Sequence, residues 1–179
     1  IDEYVNRRKE LGEPALVNPI RWHFIGHLQR NKCRRVLPLP RLIHTLDSLR
    51  LAEEIQESGD KRKQVIEVLL QINISRERQK TGIAPAAIGY LLEQLETMPC
   101  VKPRGMMCMA PISENPEDSR EVFTRCSEFF EEMKLDKITG GTFNILSMGM
   151  SNDFEVAIEC GANIVRVGTA LFGENTVPQ

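Results

Sequence analysis

The sequence predicts an α/β fold with a mainly parallel sheet covered by helices. Six short apolar segments rich in Val, Ile, Leu and Met predict it, together with five connections of helix length and apolar residues that recur at helical spacing within those connections. Crossovers that return the chain to the same edge make neighbouring strands parallel, and strands covered on both faces read as continuous apolar runs. Periodicity alone leaves two arrangements open, a doubly wound open sheet and a broken barrel.

The elements follow in order. A helix over residues 2–11 ends at Gly12 and Pro14, and residues 21–25 read as a buried strand stopped by Gly26. A short basic helix over residues 28–37 is closed by Pro38 and Pro40. Residues 42–46 form the next strand, and Leu49, Ala52 and Ile55 share one face of a helix that Ser58-Gly59-Asp60 is expected to terminate. Residues 65–74 have the β-branched content of an interior strand and lead into a polar stretch over 75–82. Pro85 then sits in the first turn of a helix with a stripe of Ile88, Leu91, Leu92, Leu95 and Met98.

Residues 104–109 are the fourth strand. Asn115 caps and Pro116 starts the clearest helix, in which Val122, Phe123, Cys126, Phe129, Phe130 and Met133 repeat at helical spacing. After a strand at 144–148, Asn152 and Glu155 have capping-box spacing for a helix that Gly161 ends. Residues 164–168 supply the sixth strand.

Composition bounds the function. The 179 residues fit one domain, and 23 basic against 25 acidic residues leave a formal charge of −2, which calls for neither nucleic acid nor an acidic membrane surface. The basic cluster of Arg30, Lys32, Arg34, Arg35 and Arg41 reads as a solvated helix face. Five scattered cysteines lack metal-ligand spacing and read as reduced core thiols, so the expected location is the cytoplasm. No apolar run approaches the ~20 residues of a membrane helix. Neither GxGxxG nor GxxxxGK[ST] nor GxSxG occurs, which disfavours nucleotide-binding folds and a hydrolase elbow.

The informative residues lie where strands end. Ser147-Met148-Gly149-Met150-Ser151 and Gly168-Thr169-Ala170 each lead into a helix, and small residues there let backbone N–H groups approach an anion. Ser147, Ser151, Gly168 and Thr169 are thus candidates to hold a phosphate, with ordinary turn chemistry as the alternative. Arg166 interrupts an apolar strand, where a charge must be paired or aimed at a site. His23 and His27 straddle Gly26 on a strand and lack the shared helical face of a zinc pair, so no metal site is expected. His27 can approach the mouth or make a fixed structural bond, and His44 is expected to satisfy its nitrogens within its own strand. Met106, Met107 and Met109 line a ligand-facing strand end or fill core.

Trp22-His23-Phe24-Ile25-Gly26-His27-Leu28-Gln29, with Asn31-Lys32 behind it, resembles the signature of the pyridoxal phosphate homeostasis proteins, the YggS/PROSC family. Gln71-Ile72-Asn73-Ile74-Ser75 with Lys80-Thr81-Gly82, Arg104-Gly105-Met106-Met107, Leu146 through Ser151, and Arg166 through Gly173 resemble further family segments in the right order. The resemblance implies an incomplete (β/α)8 TIM barrel of the alanine racemase type, with strands 3 to 8 present, as a single domain over residues 1–179. It implies a non-catalytic, monomeric protein that binds pyridoxal 5'-phosphate and regulates its supply. On this analogy Ser147, Ser151, Gly168 and Thr169 match phosphate-side positions and Arg166 matches the arginine facing the pyridine nitrogen.

The family's first strand carries a lysine that bonds the cofactor covalently, and its second ends in a segment of which Asp2-Glu3-Tyr4-Val5 matches only the tail, with Glu3 in place of asparagine. Those two strands and that lysine are absent from this sequence, and Lys32, Lys80 and Lys102 are poorly placed to substitute. The expectation is therefore a chain truncated at its N-terminus that cannot hold the cofactor covalently, with possible association through the open barrel edges. A racemase or decarboxylase fragment and a non-binding structural remnant are the competing readings.

Overall fold

The computed structural model describes residues 21–74, 81–135 and 140–173, which form six parallel strands. These are β1 (His23–Phe24), β2 (Leu42–Leu46), β3 (Ile66–Ile72), β4 (Val101–Cys108), β5 (Ile145–Met150) and β6 (Ile164–Arg166). Helices α1 (Cys33–Val36), α2 (Leu49–Arg62), α3 (Ile88–Glu96), α4 (Arg120–Lys134) and α5 (Phe154–Glu159) lie between them, and α6 (Thr169–Phe172) follows the last strand. The helix expected over residues 2–11, and most of the polar stretch at 75–82, lie outside the described residues.

Strand order decides between the two arrangements left open by periodicity. A doubly wound sheet reverses its order at a switch point, whereas this sheet runs from β1 to β6 without reversal. Each crossover advances one place in the same direction, which is the winding of a barrel. Among the described residues β1 and β6 each pair only on their inner side, so the sheet is an open, curled half-barrel.

Alternation along the strands sorts side chains into two apolar clusters. Val68, Leu70 and Ile72 of β3 join Ile55 of α2, Leu92 of α3 and Phe123 of α4 in the large core outside the sheet. Residues of opposite parity make a smaller layer inside the curl: Leu42, Leu69 and Met107, with Ile145 and Ile164 against them. One residue from each of β2 to β6 therefore fills the barrel interior. Towards the end where the strands begin, Glu67 of β3 pairs with Arg104 of β4 at 2.5 Å and with Arg41 at 3.6 Å.

Three local expectations are corrected. Helix α2 runs through Ser58-Gly59-Asp60 to Arg62 and stops at Lys63, which takes the left-handed conformation at φ 54°. Gly59 serves close packing instead, because an added Cβ would lie 2.7 Å from Cys100 Cβ and 2.8 Å from the Gln64 carbonyl. Strand β4 begins three residues early, at Val101, and tolerates Pro103 because the register with β3 shifts beside it. The cap of α5 is Asp153, whose Oδ1 accepts from Met150 N at 2.6 Å, while Asn152 donates to the Ser113 carbonyl at 2.9 Å.

Candidate functional site

Above the inner apolar layer, towards the carboxyl ends of the strands, the inward positions become polar. His44 of β2, Gln71 of β3, Ser147 of β5 and Arg166 of β6 occupy them, with His23 on the edge strand β1. Buried polar groups need partners: Gln71 bonds Thr81, and the others find one another across the curl. His44 Nδ1 lies 3.0 Å from Ser147 Oγ, His44 Nε2 lies 3.0 Å from His23 Nδ1, and Arg166 Nη1 donates to Ser147 Oγ at 2.7 Å. Arg166 Nη2 donates to the Cys108 carbonyl at 3.0 Å. The contact between β2 and β5, which are not neighbours in the sheet, also shows how tightly the sheet curls. His44 thus satisfies its nitrogens across the barrel and not within its own strand.

Burial sets the charges of this cluster. Desolvation, reinforced by His23 and Arg166, holds the His44 imidazole at a pKa of about 3, so it is neutral at physiological pH. Desolvation also lowers His23. It lowers Arg166 from its usual range, while Cys108 and Asp153 act in the opposite direction. No carboxylate among the described residues lies within ion-pair distance of Arg166, so the guanidinium brings a positive charge to the interior that none of them pairs with.

That charge faces a cavity of about 940 Å³ at the C-terminal end of the half-barrel. The three histidines reach it, as do Gln71 and Thr81, which are joined by a 3.0 Å hydrogen bond. Met107, Met109, Met150 and Ile164 give it apolar wall. Among the described residues no aspartate, glutamate or lysine lines it. His27 both lines the cavity and lies 3.3 Å from Asp47. At the rim the Ser151 hydroxyl accepts from Gly168 N at 3.1 Å and Ala170 N at 3.3 Å, which ties the end of β5 to the turn that opens α6. A second hollow of about 540 Å³ lies where the strands begin, the end that serves stability in barrels.

The structure brings Ser151, Arg166, Gly168 and Thr169 together on this cavity. Ser147 does not line it. Its side chain is fully buried and is engaged by His44 and Arg166, so it stands behind the arginine. Met107 and Met109 are on the wall, whereas Met106 belongs to the outer core. Sequence reasoning missed that His44 and His23 join Arg166 in one hydrogen-bonded row through Ser147. A histidine inside a wholly buried five-residue strand and an arginine inside an apolar one were the available signal.

Residues 14–176 match the family model described as alanine racemase, N-terminal domain. The chain is 44% identical over 159 residues to a pyridoxal phosphate homeostasis protein of Aquifex aeolicus, a match covering 87% of this chain and 67% of that protein. The chain belongs to the pyridoxal phosphate homeostasis protein family. It therefore spans about two thirds of the length of that relative. Within the same homeostasis family, PipY of Synechococcus elongatus PCC7942, in a structure with PLP bound, superposes with a TM-score of 0.79 at 30% identity, covering 96% of this chain and 78% of PipY. An alanine racemase of Clostridium difficile shares the fold at a TM-score of 0.67 and 15% identity, covering 99% of this chain and 44% of the racemase. For a homeostasis family member the half-barrel of strands β1 to β6 is thus an incomplete alanine-racemase-type barrel. Among the described residues no helix is long and apolar enough to cross a membrane.

Proposed function

We propose that this chain is a non-catalytic, cytoplasmic regulator that binds pyridoxal 5'-phosphate in the cavity at the carboxyl ends of its strands. One observation carries the reading: a large cavity in which Arg166, Ser151, Gly168 and Thr169 converge and which no carboxylate among the described residues lines. A phosphorylated, apolar-faced ligand fits that donor set. Ser151, Gly168 and Thr169 would hold the phosphate, where an added Cβ at Gly168 would meet nothing within 4 Å and the backbone is open to approach. Met107, Met109 and Ile164 offer the apolar wall for a ring, and Arg166 would face its nitrogen.

Bound pyridoxal phosphate supplies an aldehyde and a ring able to withdraw electrons. Arg166 is a donor that does not give up its proton at neutral pH, so it opposes protonation of a nitrogen placed against it and favours carriage over turnover. A covalent hold needs an amine at the aldehyde, and no lysine among the described residues lines the cavity. Binding by this chain is therefore noncovalent and reversible. Its partner is the small-molecule cofactor rather than nucleic acid, since Arg34 of the basic cluster pairs with Glu57 and its carbonyl accepts from Arg62. The open edges at β1 and β6 are where copies would associate.

The test is an absorbance titration of the purified chain with pyridoxal 5'-phosphate, followed by borohydride reduction and intact-mass measurement. Saturable binding that is lost on dialysis, with no pyridoxyl adduct after reduction, is the expected result. A stoichiometric adduct on a lysine overturns the noncovalent reading, and an unsaturable titration overturns the binding reading.

A further inference from the structure

We propose that His44 is a positioning residue of the cavity, fixing Arg166 through Ser147 by a one-way chain of hydrogen bonds that ends at His23. The inference rests on the cofactor reading of the cavity and deepens it, because it concerns how the arginine is held. The chain's direction follows from donor and acceptor chemistry. Arginine has no acceptor, so in the 2.7 Å contact Arg166 Nη1 donates and Ser147 Oγ accepts. The hydroxyl proton of Ser147 must then go elsewhere, and its other partner among the described residues is His44 Nδ1 at 3.0 Å.

If Ser147 donates to Nδ1, a neutral His44 carries its single ring proton on Nε2. That proton is given to His23 Nδ1 at 3.0 Å, and His23 in turn keeps its own proton on Nε2. Every donor in the row then has an acceptor up to the half-exposed edge strand. The opposite direction would aim both Arg166 Nη1–H and His44 Nδ1–H at Ser147 Oγ and leave the hydroxyl proton unpaired in a fully buried place. An unmade bond at such a position costs more than a made one gains, so the first direction prevails. Burial keeps His44 neutral, which the first direction requires.

The consequence for the cavity is mechanical. Arg166 stands on β6, an edge strand of three half-buried residues, and its guanidinium would swing with that edge if nothing held it. Ser147 on β5 takes one terminal nitrogen, and the Cys108 carbonyl at the end of β4 takes the other. Those two bonds leave the remaining N–H groups for a ligand. With His44 removed, Ser147 becomes a free rotor and can turn its own proton towards Arg166, which weakens the hold at Nη1.

Nitrogen-15 spectra of the histidine rings in the ligand-free chain, together with binding by H44N and H44L, test the proposal. Asparagine can place Oδ1 where Nδ1 stood and still accept from Ser147, whereas leucine cannot accept at all. At pH 7 the wild-type His44 should show a protonated Nε2 and a bare Nδ1. H44L should weaken pyridoxal 5'-phosphate binding about tenfold, and H44N by no more than about threefold. Inorganic phosphate, which would meet the rim at Ser151, Gly168 and Thr169, should bind both variants as it binds wild type. A protonated Nδ1 on His44, or H44L binding pyridoxal phosphate as wild type does, overturns the proposal. So does an equal loss for H44N and H44L, or a parallel loss of inorganic phosphate, which would mark a general structural role. Absence of any pyridoxal phosphate binding by wild type would instead overturn the reading of the cavity, and the ring tautomer, measured without ligand, still decides the relay.

Discussion

The Ser151 hydroxyl lies 3.1 Å from the backbone nitrogen of Gly168, so the end of β5 caps the turn after β6. The same oxygen accepts from Ala170 N at 3.3 Å, and among the described residues α6 has no other side-chain cap. Replacing Ser151 by alanine removes the acceptor of both N–H groups. We expect S151A to lose about 1 kcal/mol of stability, the usual cost of a lost cap, measured as a shift in the urea unfolding midpoint. Its pyridoxal phosphate titration should weaken as well, since the same hydroxyl is proposed to meet the phosphate. An unchanged affinity would remove Ser151 from the proposed site.

Gly105 makes the closest approach in the sheet. Its φ is 151°, and an added Cβ would lie 1.7 Å from the Ile145 carbonyl oxygen, backbone of β5 that cannot move aside without breaking the β4–β5 ladder. G105A is therefore expected to cost about 3 kcal/mol or more, or to prevent folding, in denaturant unfolding followed by circular dichroism. The exposed Gly141, where an added Cβ meets nothing within 4 Å, is the control, and G141A should fall within about 0.5 kcal/mol of wild type.

The sequence was most readable where local chemistry is self-contained. Strand β2 falls at the expected residues 42–46 because polar residues flank five that are all buried, and Gly161 at φ 99° ends α5 as its position suggested. Where distant packing decides, the reading failed. Ser58-Gly59-Asp60 looks like a helix stop, but Gly59 is there to let Cys100 and Ile66 approach, and neither is visible in the local string. Ser147 looked like a phosphate ligand because it shares a small-residue turn with Ser151. Strand alternation turns it into the barrel interior, and its partner His44 is 103 residues away. The family motifs supplied the winding, which periodicity could not, since open and closed parallel sheets present the same strand pattern.

Thiol reactivity should divide the cysteines by depth. Cys33, Cys108 and Cys126 are fully buried, whereas Cys100 and Cys160 are half-buried. Desolvation, with Glu54 adding to it, pushes the Cys33 thiol up to about 11, and the hydrogen bond with Cys126 followed by desolvation raises Cys108 well above its ordinary value. Thiolate is the reacting form, so depth and pKa act together. An aromatic disulfide reagent at pH 8 should modify Cys100 and Cys160 in the native chain and all five thiols in denaturant, read by peptide mass mapping. Fast native labelling of Cys33 or Cys108 would contradict the packing of α1 or β4.

His44 should make stability depend on pH in a defined window. Its imidazole has a reference pKa of 6.5 and is held at about 3 in the fold, chiefly by burial. Between those values the unfolded chain binds a proton that the folded chain refuses, so stability falls as pH falls. The contribution is fully present above pH 6.5 and is lost progressively towards pH 3, at up to about 1.4 kcal/mol per pH unit for this one group. His23, lowered in the same sense, adds to the slope, and carboxylates contribute their own. The difference between wild type and H44N isolates the histidine, because asparagine keeps an acceptor for Ser147 but does not titrate. Urea midpoints measured from pH 7 to pH 4 should converge for the two proteins as pH falls. Parallel lines would mean that His44 is charged in the fold or exposed to water, and the row of bonds from His23 to Arg166 would then lose its neutral link.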